Sequence, residues 1–416
     1  SSLSALILLE SFDQASFEGD FSLVDWKLTS WAKDGLLFAS SLPDVEVRSG
    51  RLNVSHLNSE ATVLSDIEIV GGSLVLSGSD FSLIGNLYVS SDASFNLASQ
   101  SPLGINGTIL PSSGSINFGN AGIKTLDSGL LRIESAIMVD SISMNSPRAR
   151  IEIASTPNLV KSLSLGEGIL FLKDGSSVDV ESDLIREEAN IVSEGNGALR
   201  LVSTDTLTVQ GFSDSLLPNL HIDAPVILND DVVFVDGDLL IGPEASIYAA
   251  SGARLGIRDD FRANQATISM RDVESLNVSG DLEINSSFLD IRGIEIYVDG
   301  KMTVHNSNTI DNIALLSGST FEITESVIET DFMSLKALGI NEITGDGMID
   351  ISRRLTISSG SIVVHDGEVL KVTDGELRID GSVEGTNYIT LEGSTSTWSG
   401  TGVFSHLALN LTDLSS

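Results

Sequence analysis

The stretch that decides the fold is a short repeat in which a glycine is followed by alternating aliphatic residues. Residues 280–284 read Gly-Asp-Leu-Glu-Ile, and residues 300–304 read Gly-Lys-Met-Thr-Val. Side chains on a β-strand alternate between its two faces, so the third and fifth residues of each copy would point into one core. Glycine would supply a turn with positive φ in front of the strand. The pattern predicts β-strands that are each opened by a glycine turn.

Ten copies of this pattern occur along the chain; besides those two, they begin at Gly50, Gly72, Gly85, Gly129, Gly197, Gly237, Gly360 and Gly375. Neighbouring copies lie 22, 20 or 15 residues apart in places, and 43 apart elsewhere, near twice the shorter interval. A period of about 20 residues is typical of solenoid proteins. The sequence therefore predicts an all-β protein, an elongated parallel β-solenoid (β-helix) of roughly 20-residue coils.

Three segments depart from the repeat. Residues 1–48 carry Trp26, Trp31 and several phenylalanines. Because terminal repeats must cover an exposed core, residues 1–48 are predicted to form an N-terminal cap or assembly segment, and residues 49–416 the solenoid. Residues 182–192 and 328–339 are interpreted as loops or single turns between coils, with a short helix as the alternative in each case.

The composition excludes several classes of partner. The 416 residues include 23 Lys and Arg against 58 Asp and Glu, a formal net charge of −35. A field of this sign repels nucleic-acid phosphates and anionic lipids, so no nucleic acid is expected as a partner. No stretch approaches the about 18 apolar residues of a membrane-spanning helix. Cysteine is absent, which excludes disulfides, cysteine-based zinc clusters and thiol nucleophiles.

Catalytic motifs are not found, and we predict that the protein is not an enzyme and has no catalytic residues. The five histidines are scattered, and the sequence has no nucleophile elbow and no phosphate loop. Acidic pairs such as Asp259 and Asp260 could serve glycosidic chemistry, but such pairs are expected by chance among 58 acidic residues. A polysaccharide-cleaving β-helix enzyme remains a remote alternative.

Calcium is the ion that the acidic turns would suit. Asp236, Asp238 and Asp299 stand beside glycines, and Ca²⁺ prefers hard oxygen ligands of this kind. None of these turns matches an EF-hand loop, and ordinary turn chemistry is the competing interpretation. No other cofactor is expected.

Five Asn-x-Ser/Thr sequons are candidate glycosylation sites: Asn53, Asn106, Asn277, Asn285 and Asn410. They matter only where the source glycosylates its exterior, and several are expected from the abundance of Ser and Thr alone.

One passage resembles a known class of proteins. Residues 398–410 read Trp-Ser-Gly-Thr-Gly-Val-Phe-Ser-His-Leu-Ala-Leu-Asn, and residues 217–222 and 235–241 repeat the same style. This is similar to the repeats of large secreted β-solenoid surface proteins of bacteria and archaea, such as adhesins and filament, sheath or S-layer-like proteins. The resemblance implies an extracellular location at the cell surface. Right-handed β-helix enzymes such as pectate lyases are a weaker match.

The two ends of the chain carry apolar strands without a charge in their middles. These candidate assembly strands contain Leu6, Ile7, Leu8 and Leu9 at one end and Leu407, Leu409 and Leu411 at the other. Open strand edges invite another chain, so we expect an extracellular structural protein that self-assembles head-to-tail into a filament, sheath or surface layer. The homopolymer would form through these strands. The alternative is a cell-surface adhesin or carbohydrate-binding solenoid whose partners are surface glycans.

Overall fold

The chain forms two compact units, Ser1–Arg200 and Leu201–Ser416. A computed structural model describes residues 5–9, 14–17, 26–39, 41–56, 62–78, 80–127, 129–155, 158–210, 216–229, 232–249, 252–271, 273–292, 295–305, 308–310, 313–315, 320–325, 327–335, 339–345, 347–359, 361–365, 370–385, 389–404 and 407–410.

Both units are parallel β-solenoids, which confirms the predicted fold class. The chain is 67% strand and 1% helix, with coils of about 21 residues and about 14 turns in all. Most described coils contribute three strands, one to each of three parallel faces, and a few carry a longer strand that serves two faces. Successive coils pair in register, so each strand bonds to the strands one coil before and one coil after it.

The unit Ser1–Arg200 has three faces, here A, B and C. Face A holds Ser41–Leu42, Thr62–Leu64, Phe81–Leu83, Leu103–Ile105 and Ile123–Thr125. Face B holds Ala5–Leu9, Trp26–Ser30, Asp44–Val47, Ile67–Ile69, Leu87–Val89, Gly107–Ile109, Leu130–Ile133 and Asn190–Ser193. Face C holds Gln14–Phe17, Gly35–Ala39, Arg51–His56, Gly72–Gly78, Ala93–Ser99 and Ser115–Asn117.

Later in this unit the strands run through the corners. Met138–Ile153 and Asn158–Leu172 are long strands that pair in parallel and carry both face A and face B. Ser177–Arg186 pairs with residues 158–165 and continues face A, while Asn190–Ser193 continues face B. A 3-10 helix, Gly119–Ala121, precedes Ile123–Thr125. The strand Ala198–Leu201 contains the boundary between the two units.

The unit Leu201–Ser416 has faces D, E and F. Face D holds Leu207–Gln210, Pro225–Leu228, Ser246–Ala249, Thr267–Arg271, Phe288–Arg292, Asn308–Ile310, Leu370–Thr373, Ile389–Glu392 and Leu407–Asn410. Face E holds Leu216–Leu217, Val232–Val235, Arg254–Ile257, Ser275–Val278, Glu295–Val298, Ile313–Leu315, Glu376–Ile379 and Thr397–Ser399. Face F holds Asn219–Ile222, Leu239–Ile241, Phe261–Asn264, Leu282–Asn285, Met302–His305, Thr320–Thr324, Gly339–Gly345, Ser361–His365, Ser382–Gly385 and Val403–Phe404. Val327–Leu335 and Met348–Ile357 pass through a corner and serve faces D and E.

The core follows the predicted alternation. In nine of the ten glycine copies the third and fifth residues are both buried, as Leu282 and Ile284 are in the copy at residues 280–284. In the copy at residues 360–364 the fourth residue, Val363, is fully buried, and the third, Ile362, is half-buried. A shift of one residue exchanges the two faces of a strand, so this copy is displaced by one position. The core also accepts large rings, since Phe81, Phe95, Phe118, Phe261 and Phe321 are fully buried.

The spacing of the copies follows from the three faces. Gly50 and Gly72 lie one coil apart, because Arg51–His56 and Gly72–Gly78 are neighbours on face C. The interval of 43 residues from Gly237 to Gly280 covers two coils on face F, through Phe261–Asn264. The shorter interval of 15 residues, by contrast, steps from face F to face E.

The predicted reason for the glycines is wrong at most of these copies. Gly50 (φ 71°) and Gly72 (φ 80°) do adopt positive φ. Gly237, Gly280 and Gly300 do not, and they are glycine for a different reason: a Cβ there would lie 2.1–2.5 Å from a side-chain oxygen of the preceding coil. Close stacking of coils, rather than backbone handedness, requires these residues.

Two other expectations are corrected. Where the structure describes them, residues 182–192 and 328–339 contain no helix and are mostly strand, in Ser177–Arg186, Asn190–Ser193 and Val327–Leu335. Only residues 187–189 form a short connection of the predicted kind. Pairing with neighbouring coils on both sides overrides the local helical preference. The described strands before residue 48, among them Trp26–Ser30 and Gly35–Ala39, already pair in parallel as solenoid coils. A capping or assembly role for residues 1–48 stays a prediction.

Candidate functional site

A ladder of side-chain oxygens runs along the corner between faces E and F. Asn219 Oδ1 accepts the N–H of Asp238 (2.9 Å), and Asp238 Oδ1 accepts that of Asp260 (3.0 Å). Asp260 Oδ1 accepts the N–H of Asp281 (2.8 Å), and Asp281 Oδ1 accepts that of Lys301 (2.7 Å). Asn219 is the first residue of a face F strand and each of the other four residues stands directly before one, so the ladder fixes the register of five successive coils.

The ladder and the glycines form one device. A Cβ atom added to Gly237 would lie 2.1 Å from Asn219 Oδ1, and one added to Gly300 would lie 2.5 Å from Asp281 Oδ1. The missing side chain lets the oxygen of one coil reach the next residue's N–H. The corner between faces A and B uses the same device: Asp66 Oδ1 accepts the N–H of Asn86 (2.6 Å) beside Gly85.

Removing one member of the ladder should destabilise its unit. In Asp281→Ala the N–H of Lys301 loses its acceptor, and we expect the free energy of unfolding to fall by about 1–3 kcal/mol. Asp281→Asn keeps an acceptor oxygen, as Asn219 does at the same corner, and should change stability little. Urea denaturation of both variants checks this; equal losses in the two would show that the carboxylate charge matters and the hydrogen bond does not.

The three calcium candidates are engaged in different ways. Asp236 forms an ion pair with Arg258, and Asp238 is a member of the ladder. Asp299 is exposed, and its backbone N–H donates to the carbonyl of Val278 (3.0 Å). Among the residues that the structure describes, no three His, Cys, Asp or Glu side chains come close enough to hold a metal ion. Calcium binding stays a prediction, and the described geometry favours turn chemistry at Asp238.

Ion pairs join neighbouring coils on the outer surface of Leu201–Ser416. Arg254 Nε lies 2.6 Å from Glu274 Oε2, and Arg354 Nε lies 2.7 Å from Glu376 Oε2. Lys371 Nζ lies 2.6 Å from Glu392 Oε2 and 3.6 Å from Asp350 Oδ2, so this lysine bridges three coils. The partners are 20–22 residues apart in sequence, which is one coil. The few cations are therefore used to tie an acidic stack together.

The unit Ser1–Arg200 also has ion pairs between coils. The most buried acidic residue among them is Glu46, which is 4% exposed. Lys27 Nζ lies 2.9 Å from Glu46 Oε2, and Arg48 Nε donates to Glu46 Oε1 over 2.8 Å. Burial alone would raise the pKa of Glu46, but the hydrogen bonds from Lys27 and Arg48 outweigh it and hold that pKa below its usual value. The hydrogen bond to Glu46 likewise raises the pKa of Lys27.

This lowered pKa predicts how the contribution of Glu46 depends on pH. A group whose pKa is lowered on folding stabilises the protein above its unfolded pKa, near 4.5, and loses that contribution as pH falls through the folded value. Glu46→Gln should cost up to about 1 kcal/mol at neutral pH, since its cationic partners are partly exposed. The difference from the unaltered protein should vanish in acid. Denaturation at a series of pH values measures it, with the half-exposed Glu68→Gln as control.

The predicted assembly strands lie on faces B and D. Ala5–Leu9, which contains Leu6, Ile7, Leu8 and Leu9, pairs in parallel with Trp26–Ser30. Leu407–Asn410, which contains Leu407 and Leu409, pairs with Ile389–Glu392. Leu411 lies outside the described residues. Within the described part of the chain, each of these two strands pairs along one edge.

The sequons lie in different surroundings. Asn53 is half-buried on face C, and Asn285 Oδ1 accepts a hydrogen bond from Ser286 Oγ (3.1 Å). Asn106 and Asn277 are exposed; Asn277 Nδ2 donates to Ser275 Oγ (3.2 Å). Asn410 pairs through its backbone with Glu392, and its side chain lies outside the described residues.

A polar groove opens where the corner between faces A and B becomes longer. Asn106 alone joins Leu103–Ile105 to Gly107–Ile109, whereas residues 126–129 make the same connection one coil later. In the next coil the register breaks between Asn145 and Arg150. The groove between these corners has a volume of about 620 Å³ and is lined by Asn106, Lys124, Thr125, Leu126, Asp127, Gly129, Ser143, Asn145 and Ser146.

Hydrogen bonds hold the walls of this groove. Asn106 Oδ1 accepts the N–H of Leu130 (3.1 Å), and Ser146 Oγ donates to the carbonyl of Asp127. Thr125 occupies a position in register with the buried Ile105, is 9% exposed, and its hydroxyl has no hydrogen-bond partner. Thr125 therefore faces the core row behind the groove, where a buried hydroxyl without a partner costs free energy.

The fold and these surfaces define the class of the molecule as a three-faced parallel β-solenoid whose coils are joined by side-chain ladders. Comparisons with known protein families, with curated proteins and with solved structures found no match in any of the three. Within the described residues, no helix is long and apolar enough to cross a membrane.

The ladder is the feature that sequence reasoning missed. Its signal was present: Asn219, Asp238, Asp260 and Asp281 each precede a core aliphatic or aromatic residue and follow one another at about one coil's length. An acidic residue one coil after an arginine, as at Arg254 and Glu274 or Arg354 and Glu376, is a similar signal. Both become visible only after the copies are aligned at the 21-residue coil of the structure.

Proposed function

We propose that the protein is an extracellular structural protein that self-assembles head-to-tail into a filament, sheath or surface layer. The observation that carries the proposal is the pairing of Ala5–Leu9 and Leu407–Asn410, each bonded along one edge to a described strand. A parallel strand edge offers N–H and C=O groups to a further strand.

The chemistry of the surface supports a structural role. The described ladder residues and most described ion pairs join one coil to the next. These polar side chains therefore stabilise the stacking of the coils. Acidic residues outnumber basic ones in both units: residues 1–200 contain 25 Asp and Glu against 12 Lys and Arg, and residues 201–416 contain 33 against 11. Such a charge keeps an exposed body soluble and favours ordered end contacts over unspecific association.

Electron microscopy of the purified full chain, over a series of protein and calcium concentrations, tests the proposal. We expect regular fibres, tubes or sheets from the unaltered chain. Ile7→Lys places a charge in the middle of an assembly strand and should abolish them, whereas Ile227→Lys, at an exposed position on face D, should not. Isolated particles from the unaltered chain at every concentration, or assemblies that persist in Ile7→Lys, would refute head-to-tail pairing.

A further inference from the structure

We propose that the polar groove of the unit Ser1–Arg200 binds an acidic sugar unit of a polysaccharide. The inference is independent of self-assembly, because the groove lies on the side of the coils, at the corner between faces A and B. Its volume of about 620 Å³ is in the range of small-ligand sites.

Lys124 supplies the attraction for an anion. It lies on the outer side of Ile123–Thr125, is exposed, and forms no ion pair with the described residues, whereas Arg132 and Lys173 are each paired with a glutamate. Its neighbour in register is Ser143, a small hydroxyl that leaves the ammonium group open to the groove. In a chain with a net charge of −35, an unpaired cation inside a concave site selects a negatively charged group.

The other polar groups of the groove select hydroxyls. Asp127 contributes a carboxylate that accepts hydrogen bonds and repels a ligand with a second negative charge. Asn106 has its Oδ1 engaged with Leu130, which leaves its amide N–H groups as donors. Leu126 is the one large apolar side chain of the lining.

These groups together define the ligand class. One cation and one carboxylate in the same lining suit a monoanion and disfavour a dianion such as phosphate. Several donors and acceptors at the ends of short side chains suit a ligand with many hydroxyls, and the small apolar contribution disfavours peptides and lipids. A sugar that bears one carboxylate meets all of these requirements.

Isothermal titration calorimetry of the full chain, produced without glycosylation so that Asn106 is bare, tests the inference. The probes are the galacturonate trisaccharide and the neutral galactose trisaccharide. We expect the acidic trisaccharide to bind, the neutral one to bind at least about fivefold more weakly, and the affinity to fall as salt is raised. Inorganic phosphate should not displace the acidic trisaccharide.

Matched variants separate the groove from the rest of the surface. Lys124→Met should weaken binding of the acidic trisaccharide about fivefold, the order expected for one exposed charge pair. Lys161→Met, at an exposed lysine away from the groove lining, should leave binding unchanged. No binding of the acidic trisaccharide, equal binding of both trisaccharides, or full affinity in Lys124→Met would overturn the inference.

Discussion

Gly50→Ala is expected to lower the free energy of unfolding of the unit Ser1–Arg200 by about 2–5 kcal/mol. Two costs add at this position. The backbone has φ of 71°, where alanine is strained by about 1–2 kcal/mol. A Cβ would also lie 1.9 Å from the carbonyl oxygen of Ala32 and 2.7 Å from its carbon, and backbone atoms of the neighbouring coil cannot move aside as a flexible side chain could.

Gly175→Ala is the matched control for the close approach. Gly175 belongs to the same unit and has φ of 69°, yet nothing lies within 4 Å of the position of its Cβ. This variant should pay the backbone strain alone. Urea denaturation followed by circular dichroism should therefore give a clearly larger loss for Gly50→Ala; equal losses would mean that coil contact does not constrain Gly50.

Phe261→Ala is expected to destabilise the unit Leu201–Ser416 by about 3–5 kcal/mol. Phe261 is fully buried on face F. It pairs in register with Leu239 of the preceding coil and with Leu282 of the following coil. Because each coil packs directly on the next, its ring contacts the layers before and after it, and neither can collapse into the cavity without losing strand pairing.

Phe288→Ala supplies the comparison for that loss. Phe288 belongs to the same unit but is 61% exposed, so its truncation should cost well under 1 kcal/mol, about the level of ordinary surface substitutions. The two variants remove the same atoms, and thermal or urea denaturation compares them directly. Similar losses would show that the face F core row is not a packed interior.

The fold was predictable because the repeat reports on single strands. A glycine followed by two aliphatic residues at alternate positions predicts a half-buried strand wherever it occurs, and the structure buries that pair, such as Leu74 and Leu76, in nine of the ten copies. The 20-residue interval then identified the coil. Neither inference needs knowledge of a distant contact.

What could not be predicted depends on contacts between coils. The glycine at residue 237 looks like a turn residue in sequence, but its reason for being glycine is Asn219 of the preceding coil. The sequence of residues 328–335 predicts a loop or a helix. These residues are strand because they pair with Met348–Ile357 of the next coil, and no local pattern reports that pairing. The groove arises from a lengthening of one corner over two coils, at residues 126–129 and 145–149, and no residue type marks such a change.

The central claim is that the coils stack in parallel and in register, and disulfide trapping tests it most directly, because the chain has no cysteine of its own. Ser143 and Ser164 are register partners on neighbouring coils, where strands are about 4.8 Å apart, within the Cα separation that a disulfide spans. Ser82 and Ser143 lie in the same outward row but three coils apart, about 14 Å. Mild oxidation should close a disulfide rapidly in the double variant Ser143→Cys with Ser164→Cys and none in Ser82→Cys with Ser143→Cys. The reverse pattern, or equal trapping in both, would contradict the parallel, in-register stack.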